Sequence, residues 1–262
     1  MQSTMQDVPL TVTTIMRYAC EVNGDRTVTT AMGDGRYRTS TYRELGEQVG
    51  RLANALREIG VTGDDRVGTF MWNNAEHLAA YLAVPSMGAV LHTLNIRLSP
   101  EQIAFIANEA EDKVIIADVS LTAQLAPVLP LLDTVHTVIV VGDGDVDALM
   151  GSGPAVVRFD EVLAMQSPEF DWPAIVETDA AAMCYTNGTT GNPKGVGVEH
   201  RHDRQHRVLG ADAQRIRRAG AHGVQVTRAM AVGNTFRVSR RPAGVAHRGG
   251  VGLDDRRPVE LG

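Results

Sequence analysis

The sequence has little cysteine, no export signal and no long apolar run, and each absence excludes a class of protein. Its 2 cysteines, Cys20 and Cys184, lack the spacing of a metal or redox motif and form no disulfide framework, so a reduced, cytoplasmic setting is expected. The N-terminal residues lack the basic start and apolar stretch of a signal peptide, and no run reaches the length of a membrane span. With 44% apolar residues, the 262-residue chain can still bury a sizeable core. We therefore expect a globular protein that is not exported.

The net charge of −6 hides two regions of opposite charge. Residues 1–201 contain 13 Lys and Arg against 26 Asp and Glu, whereas residues 202–262 contain 12 Arg, no Lys and 5 acids. The second region has one aromatic residue, Phe236, and four Leu or Ile, too little apolar surface to offset the entropy of ordering the chain. We predict a folded domain over residues 1–201 and a disordered Arg/Gly-rich tail over residues 202–262.

A loop rich in glycine and threonine is the most informative stretch of the chain. Residues 185–196 read YTNGTTGNPKGV. Three glycines, Gly188, Gly191 and Gly195, let the backbone turn tightly and bring its N–H groups against an anion, because glycine has no Cβ penalty at positive φ. Threonine hydroxyls add donors, and Lys194 supplies a mobile positive charge. The loop therefore predicts a site for the phosphates of a nucleotide.

The Walker loop of P-loop NTPases does not fit this stretch. Counting from Gly188, the four residues TTGN are followed by Pro193, Lys194 and Gly195. Proline thus replaces the second glycine of the Walker pattern, and glycine replaces the hydroxyl residue that holds magnesium. The apolar run AAAMCY before the loop predicts a buried strand, so the loop leaves the carboxyl end of a sheet, where ligands of open α/β sheets bind.

The rest of residues 1–201 alternates strand and helix patterns. Residues 28–42 predict a hairpin, and Thr41 with Glu44 predicts a capping box for a helix that ends before Gly60. Ser99, followed by proline, predicts the start of another helix. Strands are expected at 66–72, 90–94, 114–117, 134–141 and 156–159, and helices at 75–84 and 119–132, with loops over most of 143–178. This alternation favours an α/β fold with a mostly parallel sheet, right-handed crossovers and flanking helices.

Other residues that suggest chemistry are isolated in the sequence. His77, His92 and His136 lie far from one another and from any carboxylate at metal-ligand spacing, so structural roles are expected. Cys184 is interpreted as a strand residue, not a nucleophile. Phe170 and Trp172 are interpreted as packing residues.

The loop resembles the phosphate loop of the adenylate-forming superfamily, which includes acyl-CoA synthetases, peptide-synthetase adenylation domains and luciferases. Residues 71–118 are similar to bacterial fatty-acid-CoA ligases, particularly in GAVLHTLNIRL followed by PEQI and AEDKVII. The resemblance covers about residues 10–201. It implies the N-terminal subdomain of the adenylate-forming fold.

The resemblance also implies an activity and a set of site residues. In such enzymes ATP and a carboxylic acid give an acyl-adenylate and pyrophosphate, and the thiol of coenzyme A then displaces AMP. The loop would hold the β- and γ-phosphates of ATP, Thr186 would help to place Mg²⁺, and a homodimer is left open. Asn187 departs from the family, which has Ser or Thr there, and its bulkier amide is expected to weaken phosphate binding. The site residues are Thr186, Asn187, Gly188, Thr189, Thr190, Gly191 and Lys194.

Several family elements have no counterpart after residue 201. These are further core strands, an acyl pocket, a magnesium-binding glutamate in an aromatic-Gly-x-Thr-Glu stretch, a ribose-binding aspartate and a catalytic lysine in a small C-terminal domain. We therefore expect an incomplete and inactive form of a fatty-acid-CoA ligase. Two alternatives stay open: a non-catalytic nucleotide-binding or interaction protein with a basic arm, and an adenylating enzyme for a non-fatty acid.

Two hypotheses explain the arginine-rich tail. In the first it is a basic arm that binds nucleic acid or another polyanion weakly and without sequence preference. In the second it results from a shift of reading frame in a GC-rich gene, which the 23 Arg against 2 Lys indicate.

Overall fold

A computed structural model describes residue 4 and residues 8–32, 35–151, 153–186, 193–202 and 224–226. Its strands are β1 (Thr27–Ala31), β2 (Tyr37–Thr41), β3 (Arg66–Phe70), β4 (Val90–Thr93), β5 (Asp112–Asp118), β6 (Thr137–Val141), β7 (Ala155–Arg158), β8 (Ala180–Thr186), β9 (Lys194–Glu199) and β10 (Val224–Val226). Its α-helices are α1 (Val12–Arg17, continued by a π-helical turn at Tyr18–Val22), α2 (Tyr42–Glu58), α3 (Ala75–Ser86), α4 (Pro100–Glu109), α5 (Thr122–Leu125) and α6 (Phe159–Ala164).

Seven strands form the central sheet in the order β7-β6-β5-β3-β4-β8-β9. Neighbouring strands are parallel except for β8 and β9, which are antiparallel. Parallel neighbours need a crossover connection, which explains the alternation of strands and helices along the chain. The predicted α/β fold with a mostly parallel sheet and flanking helices is confirmed.

Helices cover both faces of this sheet. On one face α2, α3 and α6 pack against alternate strand residues such as Val67, Val114 and Ile116. On the other face α4 and α5 pack against Ile115 and Val138. Strand β6 is consequently buried at every position. This is the continuous apolar pattern of a parallel strand that is covered on both sides.

The predicted helix starts are confirmed. Thr41 Oγ1 accepts the N–H of Glu44 at 3.1 Å, and the Glu44 carboxylate accepts the N–H of Thr41 at 2.7 Å, which completes the capping box of α2. The N–H and the hydroxyl group of Thr41 both donate to the Glu44 carboxylate, which holds the pKa of Glu44 below its usual value. Ser99 and Gln102 form the same arrangement at α4, with proline at its first position. Gly60, just after α2, has a φ of +102°, which explains why glycine ends that helix.

The single helix predicted over residues 119–132 is wrong. The structure has a 3₁₀ turn at Val119–Leu121, the short α5, and a second 3₁₀ turn at Leu129–Leu131. Pro127 and Pro130 explain the interruption. Proline has no N–H to donate and disfavours helical backbone at the residue before it, so a continuous helix cannot pass through both.

Two short helices, α1 and α6, lie where the sequence pattern predicts none. Each has 6 residues, too few for a helical period to stand out from its surroundings. Phe159 and Leu163 of α6 enter the core on the side of α2. The expected strand near residue 156 is confirmed as β7. Phe170 and Trp172 pack against the same core with ring centroids 4.6 Å apart, as predicted.

The smaller sheet contains the predicted hairpin of β1 and β2, whose turn residues 33 and 34 lie outside the described residues. Strand β10, from the arginine-rich region, pairs in parallel with β1. Apart from residue 202 and β10, the predicted disordered tail lies outside the described residues, so its disorder and the domain boundary at residue 201 stay predictions. Among the described helices, none combines the length and the apolar character needed to cross a membrane.

Candidate nucleotide-phosphate site

The predicted phosphate-binding loop connects β8 to β9. Strand β8 runs parallel to β4, with Ala182 opposite Leu91, and β9 returns antiparallel to β8. Thr186, the last residue of β8, is paired with Lys194, the first residue of β9. This pairing closes the loop at the carboxyl end of a parallel strand, which is the edge of an α/β sheet where ligands bind.

Two of the seven predicted site residues belong to the described part of the chain. The backbone of Thr186 is placed by its pairing with Lys194. The Lys194 side chain is exposed, and no ion pair between described residues includes its ammonium group. The positive charge therefore lies in solvent at the base of the loop. The other predicted site residues fall outside the described residues: Asn187, Gly188, Thr189, Thr190 and Gly191.

The backbone conformation of Gly195 differs from the predicted one. The sequence suggests a tight turn with positive φ, but this glycine lies within β9 and is not among the described residues with positive φ. A Cβ at this position would lie 3.1 Å from Cζ and 3.2 Å from Oη of Tyr185, its partner across the strand pair. A side chain at this position would therefore crowd the Tyr185 ring, which gives the glycine a packing role in the strand pair.

Strand β8 is confirmed, but it is less buried than predicted. Ala181 is fully buried, whereas residues 182–185, including Cys184, are half-buried. The reason is the position of β8 next to the edge strand β9, whose first four residues are exposed. The loop thus leaves from the least covered end of the central sheet.

The chain after β9 is anchored to the N-terminal segment. His200 is buried, and its Nδ1 accepts the N–H of Val12 at 3.2 Å. The backbone N–H of His200 donates to the carbonyl oxygen of Asp179 at 3.0 Å, and the backbone N–H of Leu10 donates to Glu177 Oε2 at 2.8 Å. These hydrogen bonds fix the carboxyl end of β9, although the first four residues of that strand are exposed.

His92 is not isolated from carboxylates, which corrects the prediction. Its Nδ1 lies 2.8 and 2.9 Å from the two carboxylate oxygens of Asp112, and both side chains are fully buried. The residues lie 20 positions apart, on β4 and β5, with β3 between them. Gly68 of β3 makes the contact possible, since a Cβ there would come within 3.0 Å of Asp112 Oδ2. Burial raises the pKa of Asp112, and the hydrogen bond from His92 opposes that shift.

The other two histidines have the structural surroundings that were predicted. His77 Nε2 lies 3.2 Å from Thr69 Oγ1, and His136 Nδ1 lies 3.0 Å from Thr137 Oγ1. Over the described ranges, no three His, Cys, Asp or Glu side chains come together as a metal site.

A cleft at the carboxyl ends of β3, β5 and β6 was not predicted. It has a volume of about 290 Å³ and is lined by residues that include Trp72, Asp118 and Ser120. Trp72 Nε1 donates to Ser120 Oγ at 3.0 Å, and Asp118 Oδ1 accepts the N–H of Ser120 at 2.9 Å. Arg38 and Glu76 form an ion pair on its wall. Its polar groups bond to one another, and the cleft lies on strands other than those that carry the loop.

Comparison with known proteins identifies the family. The family model described as AMP-binding enzyme matches residues 16–224. The chain belongs to the AMP-binding enzyme family. The match ends beyond residue 201, the limit of the resemblance seen in the sequence.

Similar proteins of known name are CoA ligases. The chain is 34% identical over 197 residues to the 3-methylmercaptopropionyl-CoA ligase of Ruegeria lacuscaerulensis, covering 75% of this chain and 36% of that protein. It is 38% identical over 199 residues to the long-chain-fatty-acid-CoA ligase of Thermus thermophilus, covering 76% of this chain and 35% of that protein. The chain therefore spans about a third of the length of these relatives.

Solved structures show the same fold. A putative long-chain-fatty-acid CoA ligase from Rhodopseudomonas palustris superimposes with a TM-score of 0.63 at 26% identity, over 80% of this chain and 48% of that one. The anthranilate CoA ligase AuaEII superimposes with a TM-score of 0.66 at 23% identity, over 75% of this chain and 37% of that one. At that identity the second comparison supports the fold alone.

Proposed function

We propose that this chain carries the ATP phosphate-binding part of an acid-CoA ligase that converts a fatty acid, through an acyl-adenylate, to its CoA thioester. One observation carries the proposal. In a chain of the AMP-binding enzyme family, Thr186 is paired with Lys194, so that the sequence NGTTGNP is closed into a loop at the carboxyl end of β8.

The residues of the loop suit a polyphosphate. Glycine N–H groups and threonine hydroxyl groups are hydrogen-bond donors that a phosphate can accept from, and the exposed Lys194 ammonium adds a point charge. Mg²⁺ prefers oxygen ligands such as hydroxyl groups, water and phosphate, and the resemblance to the family assigns the Thr186 hydroxyl to it. Bound Mg²⁺ would neutralise part of the phosphate charge, and coenzyme A would be the second substrate.

Fatty acids are the proposed acid class, and a non-fatty acid is the second candidate. The fatty-acid-CoA ligase of Thermus thermophilus supports the first. The second is supported by relatives of similar identity, at 34%, that are 3-methylmercaptopropionyl-CoA ligases. Release of pyrophosphate from ATP with each acid would distinguish the two in a chain that contains the whole catalytic machinery.

The 262 residues by themselves are proposed to be inactive. They contain no aromatic-Gly-x-Thr-Glu stretch after the loop. Adenylation needs acid, metal and counter-charge positioned together, and phosphate contacts alone do not stabilise its transition state. Purified protein with ATP, Mg²⁺ and medium- or long-chain fatty acids should release no pyrophosphate above background. Robust formation of acyl-adenylate would contradict this proposal.

Binding of ATP tests the phosphate site directly, and the chain provides a matched control. Its 2 lysines are Lys194, at the loop, and Lys113 on β5, whose Nζ contacts Asp65 at 2.8 Å. In isothermal titration calorimetry with Mg²⁺-ATP, Lys194→Ala should weaken binding about tenfold, or roughly 1.4 kcal/mol. Lys113→Ala should leave the affinity unchanged. Equal affinities for wild type and Lys194→Ala would refute the assignment.

Location and assembly are further proposals. Cys20 and Cys184 are both free, and burial raises the pKa of Cys20 to about 11, so its thiol is unreactive at neutral pH. Free thiols suit a reducing compartment, and we propose the cytoplasm. A homodimer, suggested by resemblance alone, would be tested by light scattering across a range of protein concentrations.

The arginine-rich residues 202–262 are proposed to bind polyanions weakly. Arginines attract phosphates by counterion release, which depends on salt but not on sequence. Tight, sequence-selective DNA binding at physiological salt would instead show a real nucleic-acid-binding arm. Translation of the gene in the other two frames beyond codon 201 tests the frameshift hypothesis, because restored family-like sequence would support it and immediate stop codons in both frames would exclude it.

A further inference from the structure

The cleft at the carboxyl ends of β3, β5 and β6 lies where the strand order of the sheet reverses. From β3 the chain crosses to β4 on one side, and it then returns past β3 to β5, β6 and β7 on the other side. The connection after β3 enters α3 on one face of the sheet, whereas the connection after β5 leads to α5 on the other face. Such a reversal leaves a crevice between the two strand ends, and ligands of open α/β sheets bind in crevices of this kind. The proposed phosphate site, on β8 and β9, makes no use of it.

Hydrogen bonds fix the walls of the cleft. Trp72, after β3, donates from Nε1 to Ser120 Oγ, after β5, at 3.0 Å, so that a bond joins the two strand ends. On the hairpin side, Thr30 Oγ1 accepts the N–H of Ala75 at 3.1 Å, which ties β1 to the start of α3. The volume of about 290 Å³ lies at the lower end of the range for ligand pockets, so the cleft suits a small ligand.

The cleft is acidic. Its ionisable lining residues are Arg38, Glu76, Asp118 and Asp143, one positive and three negative groups, which gives a formal net charge of −2. Arg38 and Glu76 form an ion pair, so their charges offset each other. No ion pair between described residues includes either of the other two carboxylates. This lining repels phosphate and attracts a cation.

The carboxylate of Asp118 is oriented, and one of its oxygens keeps its capacity to accept. Ser120 donates to Asp118 Oδ1 from its N–H, at 2.9 Å, and from its hydroxyl group, at 2.6 Å. Within the described part of the chain, no hydrogen bond uses Oδ2. An acceptor on a carboxylate that is already held in place binds a donor with little further loss of side-chain freedom.

The loop that carries Asp143 is also held in place. The carbonyl oxygens of Gly142 and Gly144, on either side of Asp143, accept hydrogen bonds from the Arg158 guanidinium at 3.2 and 2.6 Å. Arg158 is not among the residues that line the cleft. The second carboxylate is therefore carried by a fixed segment of backbone, while its side chain is exposed.

The remaining lining favours an organic cation over a metal ion. Among the residues that the structure describes, no three His, Cys, Asp or Glu side chains gather as a metal site, and two carboxylates supply few of the six or more oxygen ligands that Mg²⁺ and Ca²⁺ take. Apolar and aromatic side chains also line the cleft, namely Ala31, Met32, Trp72 and Val141. Such surface suits a hydrocarbon stem, and an indole ring also attracts a cation.

We propose that this cleft is a second ligand site, which binds a small organic amine in its ammonium form through the carboxylates of Asp118 and Asp143 and beside Trp72. The amine donates hydrogen bonds to the carboxylates, and its hydrocarbon stem lies along the apolar lining. The site shares no residue with the phosphate loop, so the inference stands or falls separately from the proposed function.

Three four-carbon molecules of different charge test the site on the full chain: 1,4-diaminobutane, 1,4-butanediol and succinate. NMR follows the indole N–H signals of the 2 tryptophans. Trp72 lines the cleft, whereas Trp172 packs against Phe170 and serves as an internal control. Diaminobutane should shift the Trp72 signal saturably, with a Kd of about 1 mM or lower, and leave the Trp172 signal in place. Butanediol and succinate should leave both signals in place.

Variants that remove charge without changing shape locate the site. Asp118→Asn keeps an oxygen for the Ser120 donors but removes the charge, and it should weaken diaminobutane binding about tenfold. Asp143→Lys, at an exposed position, should abolish binding. Asp133→Asn is the matched control, because it removes an exposed charge before the amino end of β6 and should bind like wild type. Thermal unfolding is measured for every variant, and binding is measured below the lowest midpoint.

Several results would overturn the inference. One is the absence of a saturable Trp72 response to diaminobutane in the millimolar range. Another is an equal response to butanediol, which would show that charge does not matter. Wild-type affinity in both Asp118→Asn and Asp143→Lys would show that the amine binds elsewhere.

Discussion

The two ends of the seven-stranded sheet differ in packing and in what they contribute. Toward one end, just inside the edge strand β7, β5 and β6 are covered by helices on both faces, and every residue of β6 is buried. At the other end, β9 begins with four exposed residues, and β8 has one fully buried residue, Ala181. The only antiparallel pair of the sheet as described, β8 with β9, is found at this second end.

This difference predicts that stability and nucleotide binding depend on different strands of the sheet. Burial of apolar surface is the main favourable contribution to folding, so the β5–β6 end should dominate the free energy of unfolding. A phosphate site needs exposed donors and positive charge, which the β8–β9 end provides at Lys194. Substitutions at one end should therefore change stability without changing affinity, and substitutions at the other should do the reverse.

The largest expected effect is on stability, from a substitution in β5. Ile116 is 0% exposed in the core between β5 and the α2–α3 layer. Ile116→Ala should lower the free energy of unfolding by about 2–5 kcal/mol, because it removes buried methyl groups and leaves a cavity. Urea unfolding measures this change. Mg²⁺-ATP affinity per folded molecule should stay the same. Val196→Ala on exposed β9 is the control, with an expected change within about 0.5 kcal/mol.

A smaller effect on stability is expected at the start of α2. Thr41→Ala removes the side chain that accepts the Glu44 N–H and should lower the free energy of unfolding by about 1 kcal/mol. Thr39→Ala, at an exposed position of β2, is the matched control. A change in Mg²⁺-ATP affinity in Thr41→Ala would break the proposed separation of the two ends.

The smallest expected effect is on affinity, at the residue where the loop departs from its family. Asn187→Ser replaces a bulky amide by a small hydroxyl and should raise Mg²⁺-ATP affinity about twofold, or roughly 0.4 kcal/mol. The unfolding free energy should not change. Unchanged or weaker binding in titration calorimetry, compared with wild type, would show that Asn187 does not crowd the phosphates.

Local signals in the sequence predicted much of the fold. The capping boxes at Thr41 and Ser99 depend on side chains three residues apart, so a pattern within one turn determines them. The parallel sheet followed from apolar runs that alternate with helical periods. The prediction of one continuous helix over 119–132 was wrong because Pro127 and Pro130 interrupt helical backbone there, although the apolar pattern is helical.

Contacts across strands were not predicted, because they depend on the sheet order. His92 and Asp112 meet only because β4 and β5 flank β3 and Gly68 leaves space between them. The contact of Gly195 with the Tyr185 ring is set by the register of β8 with β9. A glycine inside a strand pattern was the available signal at both places, since it marks a close approach of another group.

The measurement that tests the central claim most directly is a map of Mg²⁺-ATP binding on the backbone amides by NMR. The chemical shifts of residues 186–195 should change on titration, whereas those of β5 and β6 should stay within experimental error. Lys194→Ala should weaken the response at the loop without moving it elsewhere. Shifts concentrated at the cleft beside Asp118 and Ser120, or no shifts at the loop at saturating nucleotide, would contradict the assignment of the phosphate site to the β8–β9 end.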